Sequence, residues 1–218
     1  MLQAKVELAP PGQRGFDCDS PVSPTNAKQF AAQGFRFCVR YLSRSDTPGS
    51  TDLSTSEAWG ILSAGLALSA VQHPRSQGWL PSSEMGTADG NAAAKNAQAI
   101  GLPDRLNLWC DLEGVSEDAS AQLVIDYCEA WYAAASEEGF VPGLYVGFDS
   151  ILSGAQLFYD LKFEHYWKSA STAPDIPVRG YQMLQSVHSG LVNGLSIDLN
   201  VTQDDREGGQ VMWCVLDQ

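Results

Sequence analysis

The chain has 218 residues, of which 26 are Asp or Glu and 13 are Lys or Arg, for a formal net charge of −13. That length suits one well-buried domain and lies at the short end of the range for a (β/α) barrel. The acidic balance argues against a nucleic-acid backbone or an anionic bilayer as partner and favours a neutral or cationic ligand.

Residues 1–14 read as a polar lead that carries Lys5 and Glu7 and shows no apolar core of a secretory signal. Residues 15–218 read as a single domain. Residues 14–19 make a short first strand, and Ser23-Pro24 is an N-cap followed by proline at the first helical position, opening a helix over 24–33 that Gly34 stops. A second strand (35–41, aromatic and β-branched), a helix (53–64) and a third strand (66–72) follow. An alanine-rich helix over 87–100 ends at Gly101-Leu102-Pro103. The fourth strand is 106–112, followed by a helix over 116–138, a strand at 141–147 and a weaker helix at 150–160. Three more strands, 165–168, 180–187 and 195–201, have short or missing helices between them. Residues 211–216 read as one further strand, at a sheet edge or as a plug in the barrel bottom.

Strands alternating with helices predict an α/β fold, a (β/α)8-type TIM barrel with short or missing helices in its last units. An open doubly-wound sheet would carry a glycine-rich phosphate turn after the first strand, where this chain has Asp17-Cys18-Asp19-Ser20-Pro21. Barrel closure sets Asp17 beside Asp198 and places the chemistry at the C-terminal rim. No apolar run is long enough to span a bilayer, so no membrane insertion is expected. Cys18, Cys38, Cys110, Cys128 and Cys214 show no Cys-x-x-Cys pair, which predicts mostly free, buried thiols.

The chemistry concentrates in residues 106–114, Leu-Asn-Leu-Trp-Cys-Asp-Leu-Glu-Gly. On a strand, Asp111 and Glu113 share a face with Cα atoms roughly 6.6 Å apart. Ionised carboxylates on a buried face are costly, so the pair points to a site, and crowding there raises at least one pKa into the range of a usable proton donor. The competing reading is a pair that caps the next helix or holds a stray cation. Asp17 and Asp198 are site acids or ties between strands. Tyr145 and Gln182 are candidates to hydrogen-bond a ligand, Arg40 and Tyr41 to contact it or neutralise the rim, and Trp79 and Trp167 to stack on its rings; ordinary packing is the alternative for each. His73, His165 and His188 show no His-x-x-x-His spacing, and a zinc site built on Asp17, Asp19 and His73 is disfavoured, so neither metal nor cofactor is expected.

Gly15-Phe16-Asp17, Asp111-Leu112-Glu113, Gly143-Leu144-Tyr145, Tyr181-Gln182 and Ile197-Asp198-Leu199-Asn200 together resemble the glycoside-hydrolase-like TIM barrels related to family 25 (Chalaropsis-type) lysozymes. The alanine-rich helix ending Ala-Ile-Gly-Leu-Pro before the acidic strand is similar to the poorly characterised branch of that group. The resemblance spans residues 15–201 and departs from the lysozymes in showing Tyr-Gln where they usually show Trp-Gln. It implies hydrolysis of a β-1,4 bond in peptidoglycan or a related polysaccharide, with Glu113 as proton donor, Asp111 assisting, and Asp17 and Asp198 shaping and polarising the site. The alternative is a catalytically inactive barrel that binds glycan. The expected partner is cell-wall glycan, met by a monomer outside the cytoplasm after non-classical export, with room for a delivery or immunity partner.

Overall fold

The computed structural model describes residues 2–217, with the side chains of 188 and 189 outside the described set. Parallel strands pair in chain order from β2 (Arg14–Cys18) through β3 (Phe37–Leu42), β4 (Ala67–Gln72), β5 (Asn107–Leu112), β6 (Val141–Val146) and β7 (His165–Lys168) to β8 (Met183–Val192). β9 (Leu195–Thr202) then closes the ring between β8 and β2, antiparallel to both. Five helices lie between strands, α1 (Pro24–Ala32), α2 (Thr55–Ser63), α3 (Ser83–Ile100), α4 (Ala121–Glu137) and the single-turn-and-a-half α5 (Gly154–Tyr159); among the described residues none separates β7, β8 and β9. This is the TIM-barrel-like α/β fold expected, with its last units reduced. Each helix begins at a serine whose side chain accepts from the backbone two or three residues on: Ser23, Ser54, Ser82, Ser120 and Ser153.

Period-two alternation sorts the strand residues into two cores. Phe16, Cys38, Leu68, Leu108, Cys110 and Leu144 face outward and pack against the helices. Phe37, Val39, Val71, Trp109, Tyr145, Trp167 and Met183 face inward and fill the barrel. Cys18 and Cys110 therefore point away from the neighbouring acids, as their alternation with Asp17 and Asp111 predicts, and all five cysteines are free and buried.

The lead differs from expectation, and the last strand takes the places expected for it. The polar lead contains β1 (Ala4–Leu8), which pairs antiparallel with β10 (Met212–Leu216) from Ala4↔Leu216 to Leu8↔Met212. Lys5 and Glu7 give no strand signal because an edge strand exposes them to water. β10 in turn pairs with the lower half of β4 at Cys214↔Leu68, whereas β4 meets β5 only higher up, at Ala70↔Leu108 and Val71↔Trp109. The β1–β10 ribbon is thus inserted where the barrel wall parts, at an edge and as a floor together. Trp213 enters the barrel beside Phe37, ring centroids 5.4 Å apart, and the Met212 amide donates to Asn107 Oδ1 at 2.6 Å. Replacing Trp213 by Ala should cost about 3–5 kcal/mol by emptying this floor. Urea unfolding measures it, and a loss below about 1 kcal/mol would mean that the floor does not hold the barrel closed.

Candidate active site

The inward residues at the C-terminal ends of the parallel strands carry oxygen. Asp17 ends β2, Tyr41 ends β3, Asp111 ends β5 with Glu113 just beyond, Tyr145 ends β6, and Gln185 comes up on β8. Asp198 lies directly across from Asp17 in the β2–β9 register. Because β9 is antiparallel, Asp198 reaches this rim from the middle of its strand. A cavity of about 220 Å³ opens here, lined by Asp17, Tyr41, Ile197 and Asp198 among others.

Asp17 is buried and well supplied with donors: Asn200 Nδ2 at 2.7 Å and Gln185 Nε2 at 2.9 Å on Oδ2, and the Tyr41 hydroxyl at 3.4 Å on Oδ1. Burial nevertheless pushes its pKa up to about 7, with the charge of Asp198 adding to the rise while the three donors oppose it. Asp111 has no such cradle. It is buried, its Oδ1 has no hydrogen-bond partner, and burial, then Glu113, then Asp17, hold its carboxyl well above the usual range. Glu113 is half-buried and its pKa is raised by burial. One rim therefore holds an enclosed acid and a partly open acid, both with raised pKa values, and a carboxyl with donors arranged around it.

Glu113 has room because residue 147 is glycine. A Cβ there would run into Glu113 Cβ and lie 2.6 Å from its Oε2. Trp79 braces the same residue from behind, its indole donating to the Glu113 carbonyl at 2.9 Å while its ring packs on Tyr127. Helix capping does not explain the acid pair, since Ser120 caps α4. Tyr145 donates its hydroxyl to Gln185 Oε1 at 2.8 Å, and burial followed by the rim acids keeps that hydroxyl protonated.

Four expected substrate contacts lie elsewhere. Arg40 is even-numbered on β3 and so faces outward, where Nε bonds Glu57 at 2.6 Å and the two terminal nitrogens reach the Cys18 and Thr51 carbonyls. It is a structural counter-ion with no exposed surface. Trp167 is inward but enclosed at mid-barrel, its Nε1 bonded to Asn200 at 2.9 Å and its ring edge-on to Trp109 and Tyr145. Trp79 is likewise a brace. Gln182 precedes β8 at the opposite end of the barrel and spends its amide on the Tyr166 backbone, the Glu164 carbonyl and Asp205. The amide at the rim is Gln185, three residues on. The signal for it was a glutamine two residues past Met183 on an alternating strand, which puts both on the inward face. Asn200, also missed, follows Asp198 at the same period.

Among the described residues no group of three or more His, Cys, Asp or Glu side chains has the geometry of a metal site. His165 is half-buried at the barrel bottom, with a pKa lowered to about 4 chiefly by desolvation; the His188 side chain lies outside the described residues. No helix among the described residues is long and apolar enough to cross a membrane.

Asp111→Asn tests the charge state. The unfolded-state carboxyl ionises near its ordinary 3.8, whereas the folded-state group does so only far higher. Across that window rising pH stabilises the unfolded wild type by about 1.4 kcal/mol per pH unit, and the variant escapes this loss. The stability of Asp111→Asn relative to wild type should therefore climb from about pH 4 upward and level off below it. Denaturant curves that shift in parallel over the whole range would show that Asp111 is ionised in the fold.

Solved structures resemble this barrel at low sequence identity. The Tat-secreted protein Rv2525c of Mycobacterium tuberculosis, crystallised in complex with L-tartrate, superposes with a TM-score of 0.68 at 17% identity over 87% of this chain and 95% of that one. A family 25 glycosyl hydrolase from Bacillus anthracis gives 0.63 at 16% identity, covering 90% and 91%. A bacterial lysozyme from Streptomyces coelicolor gives 0.59 at 17%, covering 88% and 93%. No curated protein matches the chain by sequence. The model of the Rv2525c-like glycoside hydrolase-like domain matches residues 28–202, and with most of the barrel and its acidic strand inside that match, the chain belongs to that family.

Proposed function

We propose that the rim is the active site of a glycoside hydrolase that cleaves a β-1,4 bond in peptidoglycan or a related amino-sugar polysaccharide. The observation that carries this reading is the convergence on one inward rim of Asp17, Asp111 and Glu113, three carboxyls with raised pKa values of which only Asp17 is surrounded by side-chain donors. Glycoside hydrolysis needs a protonated acid beside a group that faces positive charge. Glu113, partly open, gives its proton to the glycosidic oxygen as the bond to the anomeric carbon breaks. Asp17, with its amide and hydroxyl donors, is the group best built to be an anion opposite the charge that develops. Water then adds to the anomeric carbon and its proton returns to Glu113. Asp111, its Oδ1 buried without a partner, assists Glu113 as the enclosed second carboxyl of the pair.

The resemblance has Asp111 assist the donor and Asp17 polarise the site, and this assignment gives that polarising role the form of an anion on Asp17. Asp198 tunes Asp17 through its charge. Tyr41 and Tyr145 complete the walls. Work on a cell wall takes the chain outside the cytoplasm, by a phage-lysis or secretion route, with a delivery or immunity partner on the way.

Glu113→Gln keeps size and reach but loses the acidic proton, and a drop of at least about 100-fold in reducing-end release from purified cell walls is expected, with binding retained. Wild-type protein that binds the walls and releases nothing would instead identify an inactive glycan-binding barrel. Gly147→Ala supplies an independent check. The added methyl displaces the Glu113 side chain, so turnover should fall by about 10-fold or more with KM little changed. Equal activity of Gly147→Ala and wild type would remove Glu113 from the donor role.

A further inference from the structure

Beyond the carboxyl rim, a second cavity of about 490 Å³ opens between the loops that follow β3 and β4, lined by Ser43, Arg44, Ser45, His73, Arg75 and Asp89. Its volume is in the range that holds a small ligand. In a chain with twice as many acids as bases, its lining is cationic. Asp89 is already committed: Arg75 binds it through Nε and a terminal nitrogen, both at 2.8 Å, and the Tyr127 hydroxyl donates to it at 2.9 Å. His73 Nε2 contacts Asp52 at 2.8 Å. Arg44 has no ion pair among the described residues, so the pocket carries surplus positive charge.

Arg44 is held by a built loop. The buried Asn96 of α3 donates Nδ2 to the carbonyls on both sides of it, Ser43 at 3.1 Å and Ser45 at 3.0 Å. The Ser43 hydroxyl accepts from the Ser45 amide at 3.1 Å. A buried amide spent on both neighbours of Arg44 fixes the backbone from which its side chain projects, so less is left to order when a ligand arrives. The pocket also adjoins the rim. The His73 ring stacks on Tyr41 at 4.9 Å, and the Tyr41 hydroxyl faces Asp17. Tyr41 lines the rim cavity and His73 the second one, so this stacked pair is the partition between them.

We propose that this pocket is an anion subsite, taking a carboxylate or phosphate substituent of the glycan that lies across the rim. The proposal rests on the glycan reading of that rim and adds the class of substrate, an acidic glycan instead of a neutral one. An arginine fork suits either oxyanion. It also answers how a chain of net charge −13 accepts an anionic polymer: the overall field repels it and one local pocket reverses the sign where the substituent lands.

Calorimetric titration of wild type, Arg44→Ala and Arg44→Lys with three probes tests this. The probes are the carboxylate-bearing disaccharide N-acetylglucosaminyl-N-acetylmuramic acid, glycerol 3-phosphate and neutral chitotetraose. Wild type should prefer at least one anionic probe, Arg44→Ala should weaken that probe about tenfold and leave chitotetraose unchanged, and Arg44→Lys should recover most of the loss. Preference for the disaccharide assigns a carboxylate, and preference for glycerol 3-phosphate assigns a phosphate. Equal binding of charged and neutral probes, no binding of either anion, or an equal loss for all three in Arg44→Ala overturns the subsite. Cleavage is not needed for the readout: anion preference in a protein that cuts nothing upholds the subsite and sinks the hydrolase, and cleavage without anion preference does the reverse.

Discussion

Asp17 Oδ2 receives two amide donors, one from Asn200 on β9 and one from Gln185 on β8. Each donor is held in turn, Asn200 by the indole of Trp167 on β7 and Gln185 by the hydroxyl of Tyr145 on β6. The Tyr41 hydroxyl of β3 completes the set. One carboxyl oxygen pair thus ties side chains from six neighbouring strands, including the two whose meeting closes the ring. Buried networks of this kind are favourable only when every member finds its partner, and the partners here come from far apart in the chain. Closure of the barrel and assembly of the rim are therefore one event.

The same enclosure decides where charge resides. Asp111 and Asp17 are both inward and buried, but only Asp17 is given donors. Removing a carboxylate from water without replacing its hydrogen bonds costs several kcal/mol on the usual scales, and neutralisation is the cheaper outcome. Two aspartates of similar depth thus become different reagents because of the amides beside one of them. Glu113 differs again by lying past the strand end, where solvent reaches it and where Gly147 leaves it space.

Much of this was legible in the sequence wherever a two-residue period was unbroken. Asp111 and Glu113 share a face, Cys18 and Cys110 take the other, and Ser23-Pro24 marks the start of α1, whereas the Ser82 and Ser120 caps were passed over, so that α3 starts earlier than expected and α4 later. The same rule applied to Arg40 and Tyr41 separates them, since adjacent residues cannot both face the rim, and treating them as a pair concealed Arg40's bond to Glu57. The glutamine at 182 was read as a rim residue because the strand was started at 180; the strand starts at Met183, and the inward amide is Gln185. The direction of β9 does have a local signature, Asn193-Gly194 with both residues at positive φ, a two-residue hairpin turn that joins it antiparallel to β8 and that strand–helix counting alone passes over. β1 stayed hidden because its partner lies at the far end of the chain and neither strand advertises the other.

That pairing of β1 with β10 has a consequence for synthesis. The gap between the lower halves of β4 and β5 is filled by Cys214 and Trp213, which are made after every other strand of the barrel. Until then Phe37, Val39 and Trp109 face an open floor, and Ala4–Leu8, made before the rest of the barrel, waits for all of it to emerge before its mate does. Contacts of such sequence separation form late and slowly. A nascent chain would hold its helices and upper strands while the apolar interior stays accessible from below, a state that invites chaperone capture. The rim network, which needs a rigid wall, would then become competent only after the final strand slides into place.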